Sequence, residues 1–264
     1  MDILFSYLIK SSLSIAVFYI FYALMLRKET SFGWNRMYLL SAGIISLITP
    51  LISIGGISAE YTYMLQDVYI SPVRTFSSEI HSSSYPVSPA QLLLIIYISG
   101  VLLFSVRLLF GFFHLYRTYI SGRRTLLGDM EPVIIKNGSA PFSFFDLIFI
   151  PEVMLNDQNL DKMLMHEKIH VRKLHSLDTL IYQLFCIVLW FNPFSWLSKK
   201  ELQAQHEFAA DSHVLGSGFA RKTYTDLLFS YTFEIPGINI TNNFSTLLKR
   251  RFQMISNDKH SYTG

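Results

Sequence analysis

Cysteine is nearly missing from this chain of 264 residues: Cys186 stands alone. A single thiol excludes an intramolecular disulfide and any cysteine-rich zinc site, and its place in an apolar run marks it as a buried, inert residue. Charge is scarce as well. Charged residues make up 16% of the chain against 51% hydrophobic, with a mean hydropathy of +0.33. Globular domains ordinarily carry about a quarter charged residues, so a plain soluble domain does not fit. The net charge of +3 is small and its basic residues flank apolar blocks, which argues for membrane topology and against direct nucleic-acid binding. No basic start precedes the first apolar stretch and no clear cleavage site follows it, so no signal peptide is expected. No internal repeat is present.

What is abundant is apolar sequence in blocks. The first, Ile3 to Leu26, is long enough to cross a bilayer, with Lys10 able to snorkel to the interface. Arg27, Lys28 and Arg36 follow it. The second runs from Tyr38 to about Ile57, with Pro50 as a kink or break. The third runs from Leu92 to Leu115, where Arg107 marks the end of the lipid-buried part. Arg117, Arg123, Arg124 and Lys136 come next. Basic residues after the first and third blocks place the N-terminus outside and everything after about Tyr116 in the cytoplasm. The expected architecture is a mainly α, polytopic membrane protein. Residues 1–116 supply three transmembrane helices, with an external loop at about 58–90 that is rich in Ser and holds Pro72, Pro86 and Pro89. That loop reads as a connector before it reads as a sensor. Residues 117–264 supply a cytoplasmic, membrane-associated α+β domain.

In that second part, "VIIK" and "FDLIFIP" are β-type runs with Asn137-Gly138 between them as a turn signal, which predicts a small hairpin or sheet. Asp157 reads as the N-cap of the next helix. That helix carries "HEKIH". Residues four apart share a helix face, so His166 and His170 can offer neutral imidazoles to one cation, with Glu167 one step round and able to reach a metal-activated water. This is the zincin spacing, in which zinc acidifies water and the Glu accepts its proton. Downstream, "ELQAQHEFAADSHVL" is a helix with Glu207 and Asp211 one turn apart. Glu207 as third ligand completes a two-His, one-Glu zinc site with one open position, and Asp211 could fix the tautomer of a ligating imidazole.

A difficulty lies between the two helices. The apolar core Leu177 to Phe191 looks like membrane, and a single crossing would strand Glu207 on the far side. It is short for a span, and Asn192-Pro193 breaks the helix before Lys199 and Lys200. A hairpin-like excursion at about 177–198 is therefore expected, with Trp190 and Trp196 at the interface.

With these motifs assembled, the sequence resembles the BlaR/MecR-type membrane zinc metallopeptidases, the antirepressor family of gluzincins. "APFSFFDLIFIP", "HEKIH", "WFNPFSW" and "HEFAAD" carry the resemblance, which runs over nearly all of the chain. It implies zinc on His166, His170 and Glu207, Glu167 as general base and Asp211 behind the ligands. It further implies a bacterial inner-membrane protein whose cytoplasmic domain cleaves a regulatory protein such as a transcriptional repressor. Family members usually carry a further membrane helix and an external sensor after the protease, whereas this sequence ends at "RRFQMISNDKHSYTG". It is expected to be either a truncated form or one that relies on another sensor. Ser256 and Lys259 have the spacing of an acylation site but no SDN or KTG partner, so the match is read as chance.

Among the remaining histidines, His175 is expected to turn away from the pair as a polar surface group or as support for a ligand. His206 and His213 flank Glu207 and could donate to a tetrahedral oxyanion or merely line the cleft. His81 and His114 have no partner pattern. The strand "FDLIFIP" is either an edge strand that pairs with an extended substrate or part of the sheet core. The leading reading is a zinc endopeptidase in cytoplasmic signalling. A membrane quality-control protease and a zinc-stabilised receptor or scaffold are the alternatives. Substrate, activating signal and oligomeric state are not legible.

Overall fold

The computed structural model describes residues 2–52, 88–138, 140–233 and 242–256. The external loop expected at about 58–90 lies almost wholly outside the described residues, as do His81 and Lys259. The described residues are mainly helical, with one small mixed sheet.

Helix α1 (Asp2–Phe21) runs on through a π-helical turn, Tyr22–Leu26. Helix α2 (Phe32–Ile48) tightens into a 3-10 turn at Thr49–Leu51, where Pro50 has no N–H to continue the α ladder. It thus starts earlier and ends sooner than the apolar run Tyr38 to Ile57. Helix α3 (Pro89–Ser121) begins at a capping box: the Ser88 hydroxyl accepts from the Gln91 N–H, the Gln91 side chain accepts from the Ser88 N–H, and Pro89 occupies the first helical position. Ile3–Leu26 and Pro89–Ser121 are long and apolar enough to cross a membrane; α2, at 17 residues, spans only about 26 Å. Along α3, Leu93, Ile96, Leu103, Phe110 and Phe113 lie exposed, an apolar surface that water would penalise and lipid would not.

The sheet consists of β1 (Arg123–Arg124), β2 (Val133–Ile135), β3 (Phe142–Phe144) and β4 (Leu147–Pro151), in the order β1-β2-β4-β3. The expected hairpin between "VIIK" and "FDLIFIP" does not form: β2 and β4 pair in parallel. The chain between them supplies β3, which pairs antiparallel with β4 through a two-residue turn at Phe145-Asp146. The edge-strand reading of "FDLIFIP" is corrected too. Its strand is internal, paired with β2 on one side and β3 on the other, and both of its faces are covered, Ile148 and Ile150 packing on one and Phe149 on the other. A continuous apolar run is the signature of a strand covered on both sides. The free edge beside the site belongs to β3.

Helix α4 (Leu160–Arg172) covers one face of the sheet through Leu160 and Leu164, while Leu115 and Tyr119 of α3 pack on the other. Asp157 does not cap α4 directly. Its carboxylate accepts from the Asn159 N–H at 2.7 Å, and Asn159 is the residue before the helix. Leu174, in the left-handed conformation (φ 54°), lets the chain turn sharply into α5 (His175–Val188). After Leu189–Asn192 the chain enters α6 (Pro193–Gly216), which packs back along α5. That turn is closed by its own polar groups: Asn192 Oδ1 accepts from the Phe194 N–H, and its Nδ2 donates to Ser12 of α1. Gly100 of α3 fits here because the Trp190 ring occupies the space a Cβ would take, 2.2 Å away. Helix α6 is the hub and touches α1, α2, α4 and α5. Helix α7 (Arg221–Phe233) and α8 (Asn242–Ser256) complete the described chain; α8 is tied to α6 by Arg250, which donates twice to the buried Glu201.

Candidate metal centre

Helices α4 and α6 cross so that His166, His170 and Glu207 face one another. His166 Nε2 and His170 Nε2 lie 3.1 Å apart, and they are 3.5 and 3.6 Å from the two Glu207 oxygens. Donors about 2.05 Å from a tetrahedral zinc would sit about 3.3 Å from one another, so these separations fit a single small cation. The three ligand atoms form the metal-type cluster found among the described residues. Their side chains are only 12, 13 and 25% exposed, which dehydrates the cluster while leaving it reachable.

The surrounding groups fix which nitrogen points inward. Tyr224 of α7 donates its hydroxyl proton to Asp211 Oδ1 at 2.8 Å. Having one proton, that hydroxyl must accept from His166 Nδ1, 2.9 Å away. His166 thus carries its hydrogen on Nδ1 and keeps the Nε2 lone pair for a cation. Asp211 acts on the imidazole through Tyr224; its own oxygen is 3.5 Å from Nδ1. For His170, Nδ1 meets His175 Nδ1 at 2.8 Å. His175 is buried and does not turn away from the pair: of its two expected places, it takes the one supporting a ligand and not the surface one, and it stacks on His206 with ring centroids 4.0 Å apart. His206 Nε2 is committed to Asp178 at 2.9 Å, and Asp178 in turn is held by Arg36 of α2 at 2.6 Å. A buried file of side chains therefore runs from α2 to His170.

Arg251 of α8 closes the other side. Its guanidinium donates to Asp211 at 2.8 and 2.6 Å and approaches Glu207 Oε2 at 2.9 Å. Burial opposes ionisation of Glu207, but Arg251, His166 and His170 outweigh it and hold the carboxyl well below its usual range. Burial lowers His170 to about 4, against the pull of Glu207. Glu207 and His170 are therefore in their metal-binding forms at neutral pH, while for His166 the lowering by burial is outweighed by Glu207, which raises it. Burial raises the Glu167 carboxyl, against the opposing pull of His166 and then of Ser143 on β3. A carboxylate of raised pKa suits an acid–base role.

Two cavities meet at the cluster. A cleft of about 1080 Å³ lies between α3, β3, α5 and α6, and a pocket of about 380 Å³ is lined by Met163, Glu167, Leu227 and Arg251. His170, Glu207 and β3 residues Phe142 and Ser143 border both. The edge strand is held there by strain: Phe145 sits at φ 51° and its N–H donates to Ser176 of α5 at 3.0 Å.

Residues 143–255 match the family model described as BlaR1 peptidase M56. This segment is similar to the M56 peptidases. It opens at Ser143 and takes in all three cluster residues, Glu167, Asp211, Tyr224 and Arg251. The chain is also 23% identical over 212 residues to the regulatory protein BlaR1 of Staphylococcus aureus, an alignment that covers 68% of this chain and 36% of that protein. The chain thus spans little more than a third of the length of the curated relative it matches. The match suggests a metallopeptidase, and the donor set of the matched segment fits a metal.

Of the residues singled out in the sequence, His166, Glu167, His170, Glu207 and Asp211 come together. His206 lines the large cleft but directs Nε2 at Asp178. His213 stands exposed in the last turn of α6, away from the cluster. Tyr224, Arg251, Asp178 and Arg36 were not legible as site residues. Each acts from another helix, and no spacing rule connects them to the HExxH motif.

Proposed function

We propose that the protein is an integral-membrane, zinc-dependent endopeptidase that cleaves a cytoplasmic or membrane-associated regulatory protein in signal transduction. A transcriptional repressor is one such substrate. The chain would be multi-pass in a bacterial cytoplasmic membrane, with its N-terminus outside and the peptidase segment inside. The observation that carries this reading is the cluster of two imidazoles and one carboxylate, with Glu167 beside it at the meeting point of two cavities.

Zinc, when bound, would polarise a scissile carbonyl and acidify water. The chain does the rest. His166, His170 and Glu207 hold the cation, and Tyr224 and Asp211 keep His166 in its ligating tautomer. The exposed edge of β3 is available to an extended substrate backbone. Glu167, borne by α4 and lining the same pocket as Ser143, accepts the proton of the attacking water and returns it to the leaving amine.

The test is metal analysis of the purified protein together with Glu167→Gln. About one zinc per chain is expected in both forms, with cleavage only in the wild type. A folded protein that retains no zinc, or a Glu167→Gln variant that cleaves at the wild-type rate, would refute the reading. Proteome comparison of the two forms separates one regulatory substrate from the many that a quality-control protease would release.

A further inference from the structure

The large cleft does not end at the metal cluster. Lys199, Gln203 and Glu207 all line it and follow one another at helical intervals along α6. Arg107, Gly111, His114 and Thr118 line the facing side, along one flank of α3. The far end thus carries two cations, Arg107 and Lys199. Lys199 is half-buried, and burial depresses its ammonium with the Arg107 charge adding to the effect, while Arg107 itself is exposed on the facing helix. Neither forms an ion pair with a carboxylate among the described residues, and the cleft lining contains a single acidic residue, Glu207. Lys199 touches the neutral Gln183 amide and the Trp196 ring. The same Trp196 packs on Phe104 of α3 with ring centroids 5.2 Å apart. Elsewhere the buried cations of this protein are matched: Arg251 by Asp211 and Glu207, Arg250 by Glu201, Arg36 by Asp178. Two cations without a carboxylate partner on facing walls of the cleft leave room for a negative charge that arrives with the ligand.

We infer that Arg107 and Lys199 form a substrate subsite for a carboxylate, so that the protein selects polypeptides bearing an acidic residue three to four positions from the bond it cleaves. The spacing follows from helix geometry. Eight residues of α6 separate Lys199 from Glu207, about 12 Å at 1.5 Å per residue. An extended substrate covers about 3.3 Å per residue, hence between three and four residues. A polypeptide is favoured over an anionic lipid headgroup because the cations share one continuous cavity with the cluster, and that cavity is lengthened along α3 and α6 far beyond the size of a headgroup. The inference rests on the peptidase reading above.

The experiment uses the full chain, zinc-loaded and in neutral-lipid nanodiscs, with a quenched fluorogenic peptide set that carries Glu, Gln or Lys at each position around the scissile bond. Wild type is expected to favour Glu over Lys by about tenfold or more at one position three or four residues from the bond cleaved, since charge-assisted contacts in partly buried sites contribute on that scale. Lys199→Glu is expected to reverse the preference. Arg107→Glu provides the same test should Lys199→Glu fail to fold. Cleavage that depends on zinc and Glu167 but shows no acidic preference, or a preference unmoved in both variants, overturns this inference and leaves the peptidase reading standing. If no peptide is cleaved, the peptidase reading fails. The subsite is then decided by binding of the Glu and Lys peptides to zinc-loaded Glu167→Gln, where equal affinities overturn it. Stabilisation by phosphatidylglycerol that Lys199→Glu abolishes, without any peptide preference, assigns the cations to a headgroup and also overturns it.

Discussion

Replacing Arg251 by Ala tests whether the cluster is held by charge balance across three helices. The guanidinium of Arg251 is 14% exposed and makes three contacts of 2.6–2.9 Å to two carboxylates. Its removal leaves Asp211, itself 3% exposed, and Glu207 side by side with only His166 near both. Truncating one partner of a buried ion pair costs about 3–5 kcal/mol, because the remaining charge stays buried without compensation. For a chain of this size each kcal/mol moves the melting temperature by about 2–4 °C. The metal-free variant should therefore melt about 10 °C below the metal-free wild type. Added zinc compensates Glu207 but not Asp211, so the deficit should shrink to roughly half under saturating metal. Arg251→Lys should recover only part of the loss, because an ammonium cannot bridge two carboxylates as a planar fork does. The assay is thermal unfolding in detergent, with and without zinc, followed by intrinsic fluorescence. A deficit below about 1 kcal/mol, or one that zinc leaves unchanged, would refute the charge-balance argument.

Other predictions follow from the same geometry. Tyr224→Phe removes the acceptor that holds His166 Nδ1–H and should weaken zinc binding about 10–100-fold in a chelator competition, with the fold intact. In the metal-free protein, stability should fall as pH drops from about 6.5 to about 4. In that window unfolded His170 binds a proton and folded His170 does not, so the unfolded state gains by up to about 3 kcal/mol. His170→Gln should make that part of the melting-temperature profile shallower, the remaining slope coming from His175, which burial lowers to about 2, and an unchanged slope would contradict it. Gly100→Leu should separate α3 from the turn at Trp190 and lower thermal stability by several degrees, and Trp190→Ala in the same chain should restore part of the loss.

The metal-type donors were readable in the sequence because each is fixed by helical spacing. His166 and His170 share a face of one helix whatever surrounds it, and Glu207 and Asp211 do so on another. The break at Asn192-Pro193 was equally local, since a missing N–H and a capping amide act within two residues. What was not readable depends on which element packs on which. Whether "FDLIFIP" was an edge strand or sheet core stayed open because a short apolar run does not say which strands flank it; pairing with β2 and β3 made it internal, and α3 and α4 cover its faces. Position 145 gave no turn signal, since Phe rarely adopts a positive φ, and only the Ser176 hydroxyl of a separate helix holds it there. The same logic explains Tyr224, Arg251 and the Arg36–Asp178–His206 file: they are neighbours in space and not in sequence. The consequence is functional. The atoms that would bind the cation come from α4 and α6, but their charge state and orientation are set from α2, α7 and α8. A displacement of α2, which follows the first apolar helix, would pull Arg36 from Asp178 and reach His170 through His206 and His175, without any group near the cluster being touched directly.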